Sequence, residues 1–473
     1  MTTFRNGAAV VVTAAFACVA GFASADVVKK GSDVHLFTLD PGHFHAALVQ
    51  KTMLPRVSPD VRVFAPAGDD LAQHLKRIEG FNSRTENPTQ WNEIVTTGPD
   101  YLERALESRP FTVKSGLETA RVAAVPSVMV ISGNNARKTE YITKSIEAGF
   151  HVLADKPMVI RPSDYPQLEA DFAKAKEKGV LLYDIMTERF EITTMLQRAL
   201  SQQPKLFGTL EQGTPDNPSI TKISVHNFSK VVAGAQLKRP QWFFDPEQQG
   251  AGIVDVMTHL VDLVQWEAFP EVTLARSDAK VLNARRWATP LSLEQFGRVT
   301  GAKEFPAFLD AYVKDGVLQA PANGEFTYTL KGVHAKVSVT WEFEAPPGAG
   351  DTHFSVMRGT QATLTIRQGA EQGYKPVLYV DRGASVSAEA HEAALRAAIK
   401  KVAKTWPGID IKSEGSSFVV TVPGKYHNGH EAHFTQVTEN FLKYLRAGKL
   451  PDWEVPNMLT KYATIMQAYE MSR

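Results

Sequence analysis

The stretch from residue 127 to residue 183 constrains the fold more than any other part of the sequence, because short apolar runs alternate there with amphipathic ones. The apolar runs are short and nearly uninterrupted, which is typical of strands buried on both faces. They are Ser127–Ser132, His151–Ala154 and Val180–Tyr183. The segments between them have helical spacing and end at glycines; they are Ala136–Ala148 and Ser163–Lys178. This alternation predicts a doubly wound parallel sheet.

A strand, turn and helix pattern already begins near residue 34. Val34–Leu39 is apolar and β-prone, Asp40-Pro41-Gly42 marks a turn, and Phe44–Met53 has helical spacing. A second strand, Val61–Ala65, ends at a proline. A long polar and partly helical stretch then covers residues 69–110. We therefore predict a Rossmann-like dinucleotide-binding domain over residues 30–187.

The second half of the chain has a different pattern, in which short strands follow one another with few helices between them. The predicted strands are Ile220–Phe228, Glu325–Leu330, Lys336–Phe343, Ala362–Arg367 and Pro376–Val380. Helices are predicted at Ile253–Trp266 and Phe434–Ala447, and another, Ala388–Lys404, in an insertion near 385–422. The fold class is therefore α/β: the parallel sheet is followed by an α+β domain, 188–473, with a large, mostly antiparallel open sheet.

The N-terminus has the three parts of a secretory signal peptide. Arg5 precedes an apolar run from Gly7 to Phe22, and Ala23-Ser24-Ala25 forms a small-residue cleavage site. We predict a signal peptide over residues 1–25 and export, to the periplasm in a bacterium. The only cysteine, Cys18, lies inside this segment, so the mature chain would have no disulfide and no thiolate nucleophile.

Charge excludes some partners. The chain has 52 basic and 51 acidic residues and no block of like charge. This balance argues against nucleic acid and against an anionic membrane surface. We expect a small neutral ligand, no membrane span after cleavage of the signal, and a homo-oligomer that forms through the C-terminal sheet.

Two motifs carry a family resemblance. Asp155-Lys156-Pro157 follows a buried strand, and Gly250-Ala251-Gly252 leads about 100 residues later into Asp255-x-x-x-His259. In order and spacing, these motifs resemble those of the Gfo/Idh/MocA family of sugar and polyol oxidoreductases. The resemblance implies an NAD- or NADP-dependent enzyme that acts on a secondary hydroxyl of a sugar, glycoside or polyol, with redox-neutral chemistry on a retained cofactor as one variant.

Lys156, Asp255 and His259 form the predicted catalytic set. Lys156 ends a parallel strand, at the edge of the sheet where ligands bind. Its charge suits a developing alkoxide, the imidazole of His259 suits the hydroxyl proton, and Asp255 would orient the substrate or the imidazole. On a helix, Asp255 and His259 would share one face.

The predicted cofactor site departs from the usual phosphate loop. Phe37 and Leu39 stand where the first two glycines of Gly-x-Gly-x-x-Gly belong, and only Gly42 remains. The second strand also lacks the acidic residue that would hold the adenosine ribose. The predicted cofactor residues are Asp40, Pro41, Gly42, His43, Phe44, Ser132, Gly133, Asn134, Asn135, Asp155 and Lys156. The alternative is a non-catalytic exported carbohydrate-binding protein that has lost dinucleotide binding.

Trp242, His45 and Arg84 are the predicted substrate contacts. Trp242 could stack on a sugar face, with core packing as the alternative; Asn82, Glu86, Asn87 and Trp91 are further candidates beside Arg84. No metal is predicted: His43 and His45 have no clear third ligand, and are expected to cap a helix and contact substrate. His427, His430 and His433 would not share one helix face, so we expect them at the start of a helix.

Overall fold

In the computed structural model, which describes residues 34–108, 125–232 and 235–473, six parallel strands form the first sheet. The strands are β1 His35–Leu39, β2 Asp60–Ala65, β3 Asn92–Thr97, β4 Ser127–Ile131, β5 His151–Asp155 and β6 Leu182–Ile185. Their order, β3-β2-β1-β4-β5-β6, is that of a doubly wound Rossmann-like sheet, and it confirms the predicted fold class. The signal peptide 1–25 with Cys18 lies outside the described residues.

The helices of this half are α1 His45–Leu48, α2 Asp69–Ser83, α3 Tyr101–Glu107, α4 Lys138–Glu147 and α5 Tyr165–Lys178. The helix predicted over 44–53 was too long, since α1 has four residues. Beyond it, the Gln50 carbonyl accepts a hydrogen bond from the Trp91 indole, and the Lys51 carbonyl accepts one from Arg84. The polar stretch 69–110 also contains β3, which the sequence analysis missed because this edge strand exposes Ile94 and Val95.

The second sheet has ten strands, in the order β10-β12-β13-β7-β14-β15-β16-β18-β17 with β11 paired to β12. All of its pairs are antiparallel except β13 with β7. Its strands are β7 Ile220–Ser229, β10 Ala279–Ser292, β11 Val313–Lys314, β12 Val317–Leu330, β13 Val333–Glu344, β14 Thr352–Arg358, β15 Ala362–Gln368, β16 Val377–Arg382, β17 Asp410–Glu414 and β18 Ser417–Thr421. A separate hairpin pairs β8 Val231–Val232 with β9 Ala235–Gln236. The predicted open, mostly antiparallel sheet is confirmed, and the segment near 385–422 extends it by two strands.

The helices of the second half are α6 Ile192–Ser201, α7 Pro204–Phe207, α8 Met257–Ala268, α9 Leu293–Thr300, α10 Ala388–Val402, α11 His430–Ala447 and α12 Glu454–Met471. Helix α8 begins at Met257, four residues later than predicted. Residues 252–256 form turns instead; before them, Gly250 has a φ of +95°, and a Cβ on Gly252 would lie 1.7 Å from the Ala322 carbonyl oxygen. Among the described residues, no helix is long and apolar enough to cross a membrane.

A buried charge network joins the first sheet to the helices of the second half. Lys461 of α12 lies 2.7 Å from Asp184 of β6 and 2.8 Å from Asp262 of α8. Arg189, just after β6, binds Asp262 at 2.6 Å and Glu454 at 2.9 Å. Each ionised group in the network therefore has an opposite charge within reach, as burial requires. The domain limits 30–187 and 188–473 stay predictions.

Candidate active site

The candidate site lies at the carboxyl ends of β1, β4 and β5, where the turn before α8 meets the first sheet. Asp155 is the last residue of β5 and Lys156 follows it. Strands β1 and β4 are neighbours in the sheet, yet their chain connections run in opposite directions from this point. Ligands of open α/β sheets bind at such a crevice.

Lys156 and Asp255 form an ion pair across the site. The ammonium nitrogen lies 2.6 Å from Oδ1 of Asp255, and each side chain is only 7% exposed. Asp255 lies in the turns that precede α8. The prediction that it shares a helix face with His259 is therefore wrong. The structure nevertheless brings together the lysine and the aspartate that were predicted to act together.

His259 lies in the first turn of α8 and is buried. Its Nδ1 has no hydrogen-bond partner within the described chain. Burial, reinforced by the charge of Lys156, lowers the pKa of His259 well below its usual 6.5. The neutral imidazole is therefore the favoured form of His259 at neutral pH.

The carboxylate of Asp155 holds the loops after β1 and β4 together. Its Oδ2 accepts a hydrogen bond from Ser132 Oγ at 2.9 Å and lies 2.9 Å from Nδ1 of His45. Nδ1 of His43 is 3.6 Å from the same oxygen. The backbone carbonyl of Asp155 accepts a hydrogen bond from the buried ammonium of Lys138. Two histidines separated in sequence by one residue thus share one carboxylate.

Burial controls the protonation of this cluster. It is the main cause that lowers the pKa of His43 well below 6.5, and the neighbouring His45 adds to it. The pKa of His45 is lowered well below 6.5, by burial and then by the charge of Lys156. Burial also lowers the pKa of Lys138 to about 8. Both imidazoles are therefore neutral at physiological pH.

The β6 side of the site contains a pair that the sequence analysis did not assign to it. His430 begins α11, as expected of a residue at a helix start, and its ring centre is 6.0 Å from that of His45. Its Nε2 lies 3.4 Å from Oε1 of Glu188. Burial, with the nearby Glu191, raises the pKa of Glu188 to about 7. Only the tertiary fold could reveal this pair, because 242 residues separate its members in the sequence.

The first turn after β1 is more crowded than a glycine-rich phosphate loop. Phe37 and Leu39 are buried in the sheet core. At Gly42, a Cβ would lie 2.8 Å from Oδ2 of Asp70, and that oxygen accepts a hydrogen bond from Nε1 of Trp242 at 2.8 Å. Asp70 lies in the first turn of α2 and places a carboxylate beside the turn after β1. The sequence did not predict this acidic group, because an acid was expected only at the end of β2.

Basic residues line a cleft beside the first turn. This cleft is lined by Gly42, His43 and Phe44 and by Arg77, Lys238 and Arg239. Arg239 already donates hydrogen bonds to the carbonyls of Phe228 and Asn227. Its charge and those of Arg77 and Lys238 suit an anionic group. In its charge, the cleft therefore fits the diphosphate of a dinucleotide, although the loop lacks the usual glycines.

The other predicted cofactor residues mainly connect loops. A Cβ on Gly133 would lie 1.9 Å from the carbonyl oxygen of Asp40, so these two turns touch through their backbones. Asn134 donates a hydrogen bond to the Gln248 side chain, and Asn135 donates one to the Gln249 carbonyl, both at 2.8 Å. They tie the β4 loop to the segment before α8, while Asp40 accepts a hydrogen bond from Tyr141. Pro41 is buried in the same turn, between the partly exposed Asp40 and Gly42.

The predicted substrate contacts have different surroundings. Arg84 donates hydrogen bonds to the carbonyls of Asn87 and Lys51, which gives it a structural role in its own loop. Asn82 and the buried Trp91 are bonded to each other there. Trp242 contacts Asp70, whereas His45 lies in the site. A second cleft adjoins Asp255 and has aromatic walls that include Phe243 and Trp341.

The chain is similar to known oxidoreductases in sequence and in structure. The family model "Putative oxidoreductase C terminal domain" matches residues 196–473. A crystal structure from Parabacteroides merdae, described as that of a "putative oxidoreductase", is 52% identical in sequence and has a TM-score of 0.88. The match covers 93% of this chain and 98% of that one. No curated protein matches the sequence.

More distant structures share the fold. A 3-ketoreductase from Actinomadura kijaniata, in complex with NADP and TDP-benzene, is 14% identical with a TM-score of 0.53, over 93% of this chain and 98% of that one. Levoglucosan dehydrogenase, in complex with NADH and levoglucosan, is 13% identical with a TM-score of 0.55 and the same coverage. Both resemble this chain in the parallel sheet and in the large sheet that follows it.

Proposed function

The chain belongs to the oxidoreductase family defined by this C-terminal domain, and we propose that it catalyses nicotinamide-dependent oxidation or reduction at a secondary hydroxyl carbon of a sugar, glycoside or polyol. The observation that carries the proposal is the buried Lys156–Asp255 pair beside His259, at the ligand edge of the parallel sheet. The nucleotide complexes of the 3-ketoreductase and of levoglucosan dehydrogenase support this choice of cofactor and of substrate class.

Lys156, Asp255 and His259 would handle the substrate oxygen and its proton. The Lys156 ammonium stabilises negative charge that develops on a hydroxyl oxygen, and its hydrogen bond to Asp255 holds it in place. The neutral imidazole of His259 has one unprotonated ring nitrogen, which can accept a hydrogen bond from that hydroxyl. A bound nicotinamide would supply or accept the hydride. Asp255 also lines the aromatic-walled cleft, which suits the apolar face of a sugar ring.

The basic cleft would hold the phosphates of the cofactor. Arg77 and Lys238 line it together with the backbone of the turn from Gly42 to Phe44. If the chain is exported, as its N-terminus predicts, a tightly held cofactor that is regenerated in place would suit redox-neutral conversion of a glycoside. The proposal also includes export of the protein, a small carbohydrate as its substrate, and assembly into a homo-oligomer through the C-terminal sheet.

A second candidate function is carbohydrate binding without catalysis. The contact of Asp70 and Trp242 with Gly42 favours it, because a carboxylate stands beside the turn where a diphosphate would lie. Both candidates use the same aromatic cleft, so sugar binding alone does not separate them. They differ in whether the protein holds a dinucleotide.

The deciding experiment is to purify the untagged protein, denature it, and identify any released NAD or NADP by mass spectrometry. The proposed enzyme releases about one dinucleotide per chain, or binds added NAD(H) or NADP(H). Arg77→Ala should weaken this binding, whereas Arg104→Ala, an exposed change on α3, should leave it unchanged. If no dinucleotide is released and none binds, the redox proposal is wrong and the carbohydrate-binding function takes its place.

A further inference from the structure

His43, His45 and Asp155 bring three potential metal-ligand atoms close together. One potential ligand atom from each residue lies within 4.8 Å of the others. His45 and Asp155 are buried, and the side chain of His43 is 12% exposed. Two imidazole nitrogens and one carboxylate oxygen are a common ligand set for divalent transition metals.

The spacing of the cluster is close to that of a tetrahedral site. Nδ1 of His45 and Nδ1 of His43 lie 2.9 and 3.6 Å from Oδ2 of Asp155. Ligand bonds of about 2.0–2.1 Å in a tetrahedron place neighbouring donor atoms about 3.4 Å apart. The two distances to the carboxylate oxygen lie on either side of this value, although His43 Nδ1 also accepts a 3.4 Å hydrogen bond from the backbone amide of His45.

The buried negative charge of Asp155 is an independent reason to expect a cation at this cluster. Its carboxylate is buried, and in the described part of the chain its hydrogen-bonding partners are a serine hydroxyl and an imidazole. The ammonium of Lys138 binds the backbone carbonyl of Asp155 and not its carboxylate. Oδ1 of Asp155 has no partner among the described residues. A buried carboxylate is stabilised by a cation, and none of the described lysines or arginines binds the carboxylate oxygens of Asp155.

We propose that His43, His45 and Asp155 form a binding site for a divalent transition metal, with zinc as the first ion to test. Three protein ligands leave a fourth coordination position for water or for a substrate oxygen, which is the pattern of catalytic rather than structural zinc. Because Asp155 directly precedes Lys156, a bound ion would lie beside the group that we assign to the substrate oxygen. The site does not depend on dinucleotide binding.

Isothermal titration of the untagged protein with zinc, after treatment with a chelator and in the absence of dinucleotide, tests the site. Wild type should bind one zinc per chain, and Asp155→Asn and His43→Gln should each weaken binding by about 100-fold or more, because each removes a ligand. His391→Gln is the matched control, since it replaces a buried histidine of α10. It should bind zinc as wild type does.

Two results would overturn the site: wild type that binds no zinc stoichiometrically, or the same affinity in wild type and in both ligand variants. Loss of binding in His430→Gln alone would also overturn it, because the ion would then lie at α11. Circular dichroism verifies that each variant folds. If the variants do not fold, the visible spectrum of cobalt(II)-loaded wild type decides: intense bands show a four-coordinate protein site, and weak bands like those of hydrated cobalt contradict the proposal.

Discussion

Lys156 and Asp255 are separated by 99 residues in the sequence, and their charged groups lie 2.6 Å apart. One residue follows a strand of the first sheet, while the other lies in the turn that leads into α8. The pair is nearly buried, so its attraction is screened little by solvent. It therefore combines two tasks: it attaches the turn before α8 to the parallel sheet, and it directs an ammonium into the candidate site.

Replacing Lys156 by methionine should reduce kcat by about 100- to 1,000-fold, because a preorganised cation at a developing alkoxide contributes about that much. The measurement is the absorbance of reduced nicotinamide during turnover of a sugar substrate, normalised to folded protein. Lys174→Met is the control, since Lys174 lies on the exposed face of α5 and pairs only with Glu177 among the described residues. A Lys156→Met variant with more than half of the wild-type kcat would contradict the assigned role.

His259 should give the enzyme an unusual pH profile. Its folded pKa is lowered below 6.5, so the neutral ring persists as the pH falls through 6.5, and activity that needs the neutral ring persists with it. We expect no loss of kcat/KM with a midpoint near 6.5 that can be assigned to this residue. The check is to compare the profiles of wild type and His259→Gln between about pH 5.5 and 8. An acidic limb near 6.5 in wild type that the variant lacks would show that the ring titrates normally.

Much of the fold could be predicted because strand and helix periodicity are local properties of the sequence. The runs at β4, β5 and β6 are apolar throughout because helices cover both faces of a parallel sheet. Strand β10 was missed for the opposite reason: its 14 residues are mostly polar or partly exposed, and bulges interrupt its pairing with β12. Lys156 was found through the resemblance of Asp155-Lys156-Pro157 to a family motif, and its position after a buried strand supported that choice.

The rest of the site depends on contacts that local patterns do not record. Trp242 reaches Asp70 across 172 residues, and His45 reaches Asp155 across 110. His43 and His45 had no visible third ligand because the carboxylate comes from another strand. The low pKa of His259 also follows from its burial beneath surrounding elements, which spacing along α8 cannot show.

The charge network at Lys461 should be essential for stability. Lys461→Met would leave the buried carboxylates of Asp184 and Asp262 without their shared cation, although Arg189 would still bind Asp262. Removing one partner of a buried ion pair costs about 3–5 kcal/mol in the free energy of unfolding. Urea unfolding at neutral pH measures this cost. Lys412→Met, at the exposed pair with Glu414, should change stability by less than about 1 kcal/mol, and a similar small effect at Lys461 would refute the prediction.

Gly133 should not tolerate even a methyl group, because its Cβ position lies 1.9 Å from the carbonyl oxygen of Asp40 and 3.0 Å from the amide nitrogen of Gly42. Both atoms belong to backbone, so the clash cannot be relieved by rotating a side chain. We expect Gly133→Ala to reduce the free energy of unfolding by about 1–3 kcal/mol and to separate the turns after β1 and β4. Gly80→Ala is the matched control: no atom lies within 4 Å of its Cβ position in α2, and alanine should stabilise that helix by about 0.5–1 kcal/mol. Unfolding in urea and dinucleotide binding should be measured for both variants, and equal stability of the two would show that the turns are not in backbone contact.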